Sequence, residues 1–131
     1  MGNQKKKNRV LIVEDDRFQS LLVKKLITKL GYTSIGEITS GEEAVEMALE
    51  LNPDVILMDI LLEGEIDGIA AVEQIKEQRN IPVIYITGNS DSYNYDRAEL
   101  TDFVDYLIKP ISSKMLIGPL KKATSQVEEI G

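Results

Sequence analysis

Asp54-Val55-Ile56-Leu57-Met58-Asp59 is the stretch that decides the fold. Its apolar run is continuous rather than alternating, the pattern of a strand covered on both faces. A carboxylate closes it, and a polar, glycine-containing loop follows, Glu63-Gly64-Glu65-Ile66-Asp67-Gly68. Runs of the same form lie on either side. Val10-Leu11-Ile12-Val13 stops at Glu14-Asp15-Asp16. Pro82-Val83-Ile84-Tyr85-Ile86-Thr87 begins on a proline, which a strand tolerates at its first position. Val104 to Ile108 leads into Lys109-Pro110. Thr33 to Ile38 is a weaker strand, partly broken by Gly36.

Amphipathic stretches separate these runs. The first has Asp16 as N-cap with Gln19 at capping-box spacing, then Phe18, Leu22 and Leu26 on one face with Leu21 and Leu30 nearby, and Gly31 as its stop. Ser40 and Glu43 form a second capping box before Ala44, Ala48 and Leu51, flanked by Val45 and Leu49; Asn52-Pro53 ends that helix. Further helices are predicted over about Gly68 to Arg79, Ser92 to Leu100 and Ser113 to Glu128, with Gly118-Pro119 disturbing the early part of the last. Five strands thus alternate with five helices. The alternation predicts an α/β fold: a doubly wound, five-stranded parallel sheet with helices on both faces and right-handed crossovers. Such sheets bind ligands at the carboxyl ends of their strands, where strand order reverses.

Composition narrows the chemistry. The chain has 131 residues, with 15 basic against 22 acidic side chains, a net charge of −7, and is one domain by length. Its 43% hydrophobic content is enough for a core. Cysteine and histidine are both absent, which excludes disulfides, thiolate or imidazole metal ligands and Ser-His-Asp catalysis. A pI near 4.6 argues against direct nucleic-acid binding. No apolar run approaches the ~20 residues of a membrane helix. The basic start (Lys5, Lys6, Lys7, Arg9) lacks the apolar stretch of a signal peptide, so residues 1–8 are expected to be a solvated tail and the protein cytoplasmic, with no membrane partner.

The predicted strand ends carry Glu14, Asp15 and Asp16, then Asp59, then Thr87-Gly88, then Lys109. In a parallel sheet they share one edge. Clustered carboxylates raise one another's pKa unless a cation is present, and an all-oxygen cluster suits Mg²⁺. A lysine there would stabilise phosphoryl charge. Glycine beside Thr87 leaves room. The remaining plausible nucleophile is a carboxylate, able to form an aspartyl-phosphate, and Asp59 on its central strand is the best placed. Asp16 reads as a helix cap only, and the face with Glu42, Glu43, Glu46 and Glu50 as solvated. Tyr93 and Tyr95 read as surface aromatics.

Val13-Glu14-Asp15-Asp16, Met58-Asp59, Ile86-Thr87-Gly88 and Lys109-Pro110, each at a predicted strand end, resemble in order and spacing the receiver domain of two-component response regulators, in its chemotaxis-regulator-like form. The likeness spans residues 9–129. It implies the flavodoxin-like strand order 2-1-3-4-5 and a domain that is not an enzyme in the ordinary sense, though it assists its own phosphorylation and dephosphorylation. Asp59 would accept a phosphoryl group from a sensor histidine kinase or a phosphotransfer protein. Asp15, Asp59 and the backbone carbonyl of Leu61 would ligate Mg²⁺ (or Mn²⁺), with Glu14 acting through water. Thr87, Gly88 and Lys109 would bind the phosphoryl oxygens, Thr87 and Tyr106 would be the switch, and the Lys109–Pro110 bond would be cis. Leu61 and Asn89 would tune dephosphorylation. The fourth helix, fifth strand and fifth helix would form the readout face, on a monomer or a phosphorylation-dependent dimer.

Three features depart from the family's usual pattern. Glu63 stands where proline is usual, the loop before Asp67-Gly68 is one residue longer, and Asp102-Phe103 replaces Gly-Ala. The string Asp59 to Ile69 resembles a subgroup often attached to sensor kinases. With no output domain expected in this chain, a stand-alone regulator and a receiver cut from a hybrid sensor kinase both stay open. An Mg²⁺-dependent aspartyl-phosphate phosphatase would want Asp-x-Asp after the first strand, and a flavodoxin-type carrier a Ser/Thr/Gly-rich loop there. Neither is present. A receiver fold that no longer accepts phosphate is disfavoured by the intact site residues.

Overall fold

The computed structural model describes residues 6–88 and 91–125. The strands are β1 (Arg9–Val13), β2 (Thr33–Ile38), β3 (Val55–Met58), β4 (Val83–Thr87) and β5 (Asp105–Ile108). The helices are α1 (Arg17–Lys29), α2 (Gly41–Leu51), α3 (Gly68–Lys76), α4 (Ser92–Glu99) and α5 (Ser113–Thr124). All neighbouring strands are parallel, in the order β2-β1-β3-β4-β5. The doubly wound α/β fold is therefore as the sequence predicted. The last helix ends at Thr124, with Ser125 as its C-cap, short of the predicted Glu128; Lys5 of the basic tail and Asn89 lie outside the described residues.

The central strands β1, β3 and β4 bury both faces, which is why their apolar runs do not alternate, whereas the edge strands β2 and β5 are only partly covered. Leu11, Val13, Ile56, Met58, Val83 and Tyr85 pack with Ala44 and Ala48 of α2, with Ile69, Val72 and Ile75 of α3 and with Ala98 of α4. Val10, Ile12, Val55, Leu57, Ile84 and Ile86 pack on the other face with Val23 and Ile27 of α1 and Leu116 and Leu120 of α5. At Gly36 the β1–β2 register steps: Val10 pairs with Ser34 and Leu11 with Gly36. A Cβ at Gly36 would come within 3.2 Å of Leu11 Cδ1, so the glycine lets the bulge close.

The helix starts follow their caps. Asp16 accepts from the N–H groups of Phe18 and Gln19, Ser40 from Glu43, Asp67 from Ala70 and Asp91 from Asn94. Other expectations need correction. The buried stripe of α1 is Ser20, Val23 and Ile27, whereas Phe18 is 83% exposed and Leu21 and Leu22 are each 49% exposed. This helix carries large apolar residues around most of its circumference, so periodicity did not select a face; the sheet takes the side where small Ser20 and β-branched Val23 and Ile27 fit. The reciprocal half of the first capping box is absent, because the Asp16 N–H donates instead to Glu14 Oε2 at 3.0 Å. α3 ends at Lys76 rather than Arg79. α5 runs unbroken through Pro119. Among the described residues, no helix is long and apolar enough to cross a membrane.

Candidate functional site

β1 and β3 are adjacent and in register, with Val13 opposite Met58. The residues that follow, Glu14 and Asp59, therefore leave the sheet side by side, at the place where the chain reverses its winding direction. Backbone bonds fix both: the Asp59 N–H donates to Val13 O at 2.9 Å and the Glu14 N–H to Ile38 O at 2.8 Å. On the other side, Thr87 pairs with Ile108, and the Lys109 N–H donates to Thr87 O at 2.8 Å. The Lys109–Pro110 peptide is cis.

From that anchor the Lys109 ammonium reaches both acids. Its Nζ donates to Glu14 Oε1 and to Asp59 Oδ2, each at 2.8 Å. Glu14 is 5% and Asp59 6% exposed, and Thr87 is buried beside them at the end of β4. Asp15 is half-buried, and carboxylate oxygens of Glu14, Asp15 and Asp59 all lie within 4.8 Å of one another. Three carboxylates thus face one ammonium. Burial raises the pKa of Glu14, against the pull of Lys109 and the Asp16 N–H, and the nearby Asp59 charge adds to the rise. Burial, then the neighbouring Glu14, raises Asp15 as well. Burial opposes the charge on Lys109, but Asp59 and Glu14 override it and lift the lysine above its ordinary value. The donor set is all oxygen and carries more negative than positive charge, which fits a hard divalent cation.

The remaining expected residues are Gly88, Leu61 and Tyr106. Among the described residues, a Cβ at Gly88 would meet only Lys109 Cδ, at 4.0 Å. Leu61, two residues past Asp59, is exposed. Tyr106 lies on β5 opposite Tyr85, within an aromatic cluster: its ring centroid is 4.9 Å from Tyr95, 5.8 Å from Phe103 and 5.9 Å from Tyr85. Its hydroxyl is buried without a hydrogen-bond partner among the described residues. Tyr93 and Tyr95 are both exposed as expected, and Tyr95 also joins the edge of this cluster.

Several contacts escaped the sequence reading. Gly68, at the start of α3, donates its N–H to Ile60 O at 2.7 Å, and a Cβ there would collide with the carbonyl of Asp59. Glycine at this position lets α3 abut the backbone of the strand end. The preceding Asp67 takes a two-pronged contact from Arg97 of α4, at 2.8 and 3.1 Å. The Glu42 carboxylate, read as solvated, accepts from the Glu65 N–H at 2.8 Å. Asp67-Gly68 was visible as a motif; its partner thirty residues on was not.

The family model for the response regulator receiver domain matches residues 10–121. The chain belongs to that family. Receiver domains are the phosphoacceptor signalling domains of two-component systems, whose acidic pocket binds Mg²⁺ and which interact with histidine kinases or phosphotransfer proteins. The chain is 34% identical over 122 residues to the transcriptional regulatory protein PdtaR of Mycobacterium tuberculosis, covering 93% of this chain and 59% of that protein. It is 36% identical over 117 residues to the chemotaxis protein CheY of Thermotoga maritima, covering 88% of this chain and 97% of CheY. Among solved structures, the signal receiver domain of a modulated diguanylate cyclase from Desulfovibrio desulfuricans G20 superposes with a TM-score of 0.84 at 35% identity, covering 90% and 94% of the two chains. This receiver thus spans about three fifths of the length of PdtaR and nearly all of CheY.

Proposed function

We propose that this receiver is an Mg²⁺-dependent phosphorylation switch whose acceptor is Asp59. The observation that carries the reading is Lys109 Nζ at 2.8 Å from both Glu14 and Asp59, with Asp15 completing a carboxylate group that one ammonium does not balance. Asp15, Asp59 and the Leu61 carbonyl would hold Mg²⁺ (or Mn²⁺), and Glu14 would reach it through water. When bound, the cation offsets carboxylate charge and draws a phosphoryl oxygen into place.

The rest is chemistry of the chain's own groups. An Asp59 oxygen attacks the phosphorus of a phosphohistidine; the O–P bond forms, the N–P bond breaks, and the imidazole nitrogen leaves with its electron pair. Lys109 turns from Asp59 toward a phosphoryl oxygen. The Thr87 hydroxyl donates to another, and the Gly88 N–H lies next to it. Attack by water on the same phosphorus later restores the carboxylate and releases inorganic phosphate. Tyr106 follows Thr87, rearranging the aromatic cluster and hence the α4–β5–α5 face. That face already presents Tyr93, Ile108 and Ile117 to solvent.

The donor is a histidine kinase or phosphotransfer protein, met on the side of α1. There Phe18 and Leu22 are exposed, and Leu22 lines an apolar groove with Pro110, Ile111 and Lys109. Residues 9–129 act as the receiver unit, preceded by the basic tail of residues 1–8, and the protein works in the cytoplasm. Intact mass after incubation with Mg²⁺ and acetyl phosphate tests the reading. One added phosphoryl group, absent in Asp59→Asn and without Mg²⁺, is the expected result. Equal modification of Asp59→Asn would refute the assignment.

A further inference from the structure

Residues 59–67 join β3 to α3, and this segment contains no proline. It includes Gly64 at φ 95° and the exposed Glu63 and Glu65, whose like charges do not hold it together. Its ends are fixed. Ile60 is buried, the Gly68 N–H bonds to Ile60 O, and Asp67 is gripped by Arg97. In the middle, Leu62 and Ile66 pack against the core, and the start of α2 adds a second hold. The backbone of Ser40 pairs with that of Glu63 in a single parallel bridge. Gly41 lets the helix start touch the loop: a Cβ there would sit 2.7 Å from Ile66 Cγ1 and 2.9 Å from Ile66 O. Glu42 then turns its carboxylate onto the loop backbone, accepting from the Glu65 N–H at 2.8 Å. It lies so close to Gly64 that any Cβ at that position would strike Oε1. The backbone N–H groups of its own residue, Glu65 and Ile66 hold the Glu42 carboxyl below its ordinary pKa.

We propose that Glu42 is a positioning residue for the phosphoacceptor site, clasping the loop after Asp59 so that the Leu61 backbone carbonyl is held for a divalent cation. The inference rests on the reading that Glu14, Asp15 and Asp59 take such a cation. Glu42 itself touches neither the acids nor the phosphoryl group. Side chains outside the ligand shell contribute by fixing the orientation of the groups that bind the metal. A carboxylate aimed at backbone amides, four residues beyond the carbonyl in question, is placed to do this.

Mn²⁺ binding, read from the electron paramagnetic resonance signal of the free ion, tests the role on the full chain. Four proteins are compared: wild type, Glu42→Ala, Glu42→Gln and Asp15→Asn. Glu42→Ala is expected to weaken binding about tenfold, the lower end for groups outside the ligand shell. Hydrogen exchange at the Glu65 amide should quicken with it, while the metal-free unfolding midpoint stays near wild type. Glu42→Gln loses the same charge but keeps an acceptor oxygen, and should recover most of the affinity. Wild-type affinity in Glu42→Ala would overturn the proposal. So would a Gln variant as weak as the Ala variant, since the effect would then be long-range charge alone. A wild-type protein that binds no Mn²⁺ would overturn the cation reading, and the positioning role with it.

Discussion

Glu14, Asp15 and Asp59 at one end of the β3–α3 loop, and Asp67 at the other, are acids in opposite electrostatic conditions. Glu14 and Asp59 share the single ammonium of Lys109, and Asp15 stands beside them. Asp67 takes both Nη groups of Arg97, plus the Ala70 N–H at 2.9 Å. Burial accordingly lifts Glu14 and Asp15 above their ordinary range. Burial also pushes Asp67 upward, but Arg97 and the Ala70 N–H override it and hold its carboxyl low. A matched acid is a fastener, here tying α3 to α4. A mismatched group of acids is a place prepared for something positive, and the fold carries the repulsion until it arrives.

Removing the shared cation should break this contrast most strongly. Lys109→Met leaves Glu14 and Asp59 buried and unpaired, and should cost about 3 kcal/mol at neutral pH in denaturant unfolding. The loss should shrink toward mild acid, because Glu14 takes up its proton at a higher pH than an ordinary glutamate. A pH-independent loss would mean that the lysine matters for packing rather than charge.

Arg97→Gln acts on the matched acid and should cost about 1 kcal/mol, since the pair is partly exposed. Asp67 contributes stability that is complete above its ordinary 3.8 and disappears as pH falls through its lower folded value. The gap between variant and wild type should therefore close below that pH, and amide exchange in α4 should quicken above it.

Glu14 has the opposite sign. Its folded pKa lies above the ordinary 4.5, so the metal-free protein should gain stability as pH falls from neutral through that folded value. Glu14→Gln should flatten this limb, by less than the Arg97→Gln loss. Smallest of all is Phe18→Ala. At 83% exposure its stability change should stay within about 0.5 kcal/mol, while phosphotransfer from a kinase slows and that from acetyl phosphate does not.

The parts of this contrast differed in how far the sequence disclosed them. Val55 to Met58 and the carboxylate after it were legible because a strand buried on both faces needs an unbroken apolar run, and parallel pairing brings such run ends together. The Gly36 irregularity was visible too, since glycine weakens a strand. The buried side of α1 was not, because Phe18, Leu21 and Leu22 compete with Val23 and Ile27 and only packing decides. Arg97 with Asp67, and Glu42 with the Glu65 amide, lie thirty and twenty-three positions apart. Each joins a surface-type side chain to a distant loop. No local periodicity records such contacts, and the second has a backbone group as its partner, which carries no residue signature at all.

Thermal unfolding with and without Mg²⁺ tests the contrast most directly, on wild type, Asp15→Asn and Asp67→Asn. A cation that binds only the folded pocket raises the midpoint by mass action. The account predicts that Mg²⁺ stabilises the wild type and Asp67→Asn alike, and leaves Asp15→Asn nearly unchanged. A wild type indifferent to Mg²⁺, or an Asp15→Asn protein stabilised as fully as the wild type, would contradict it.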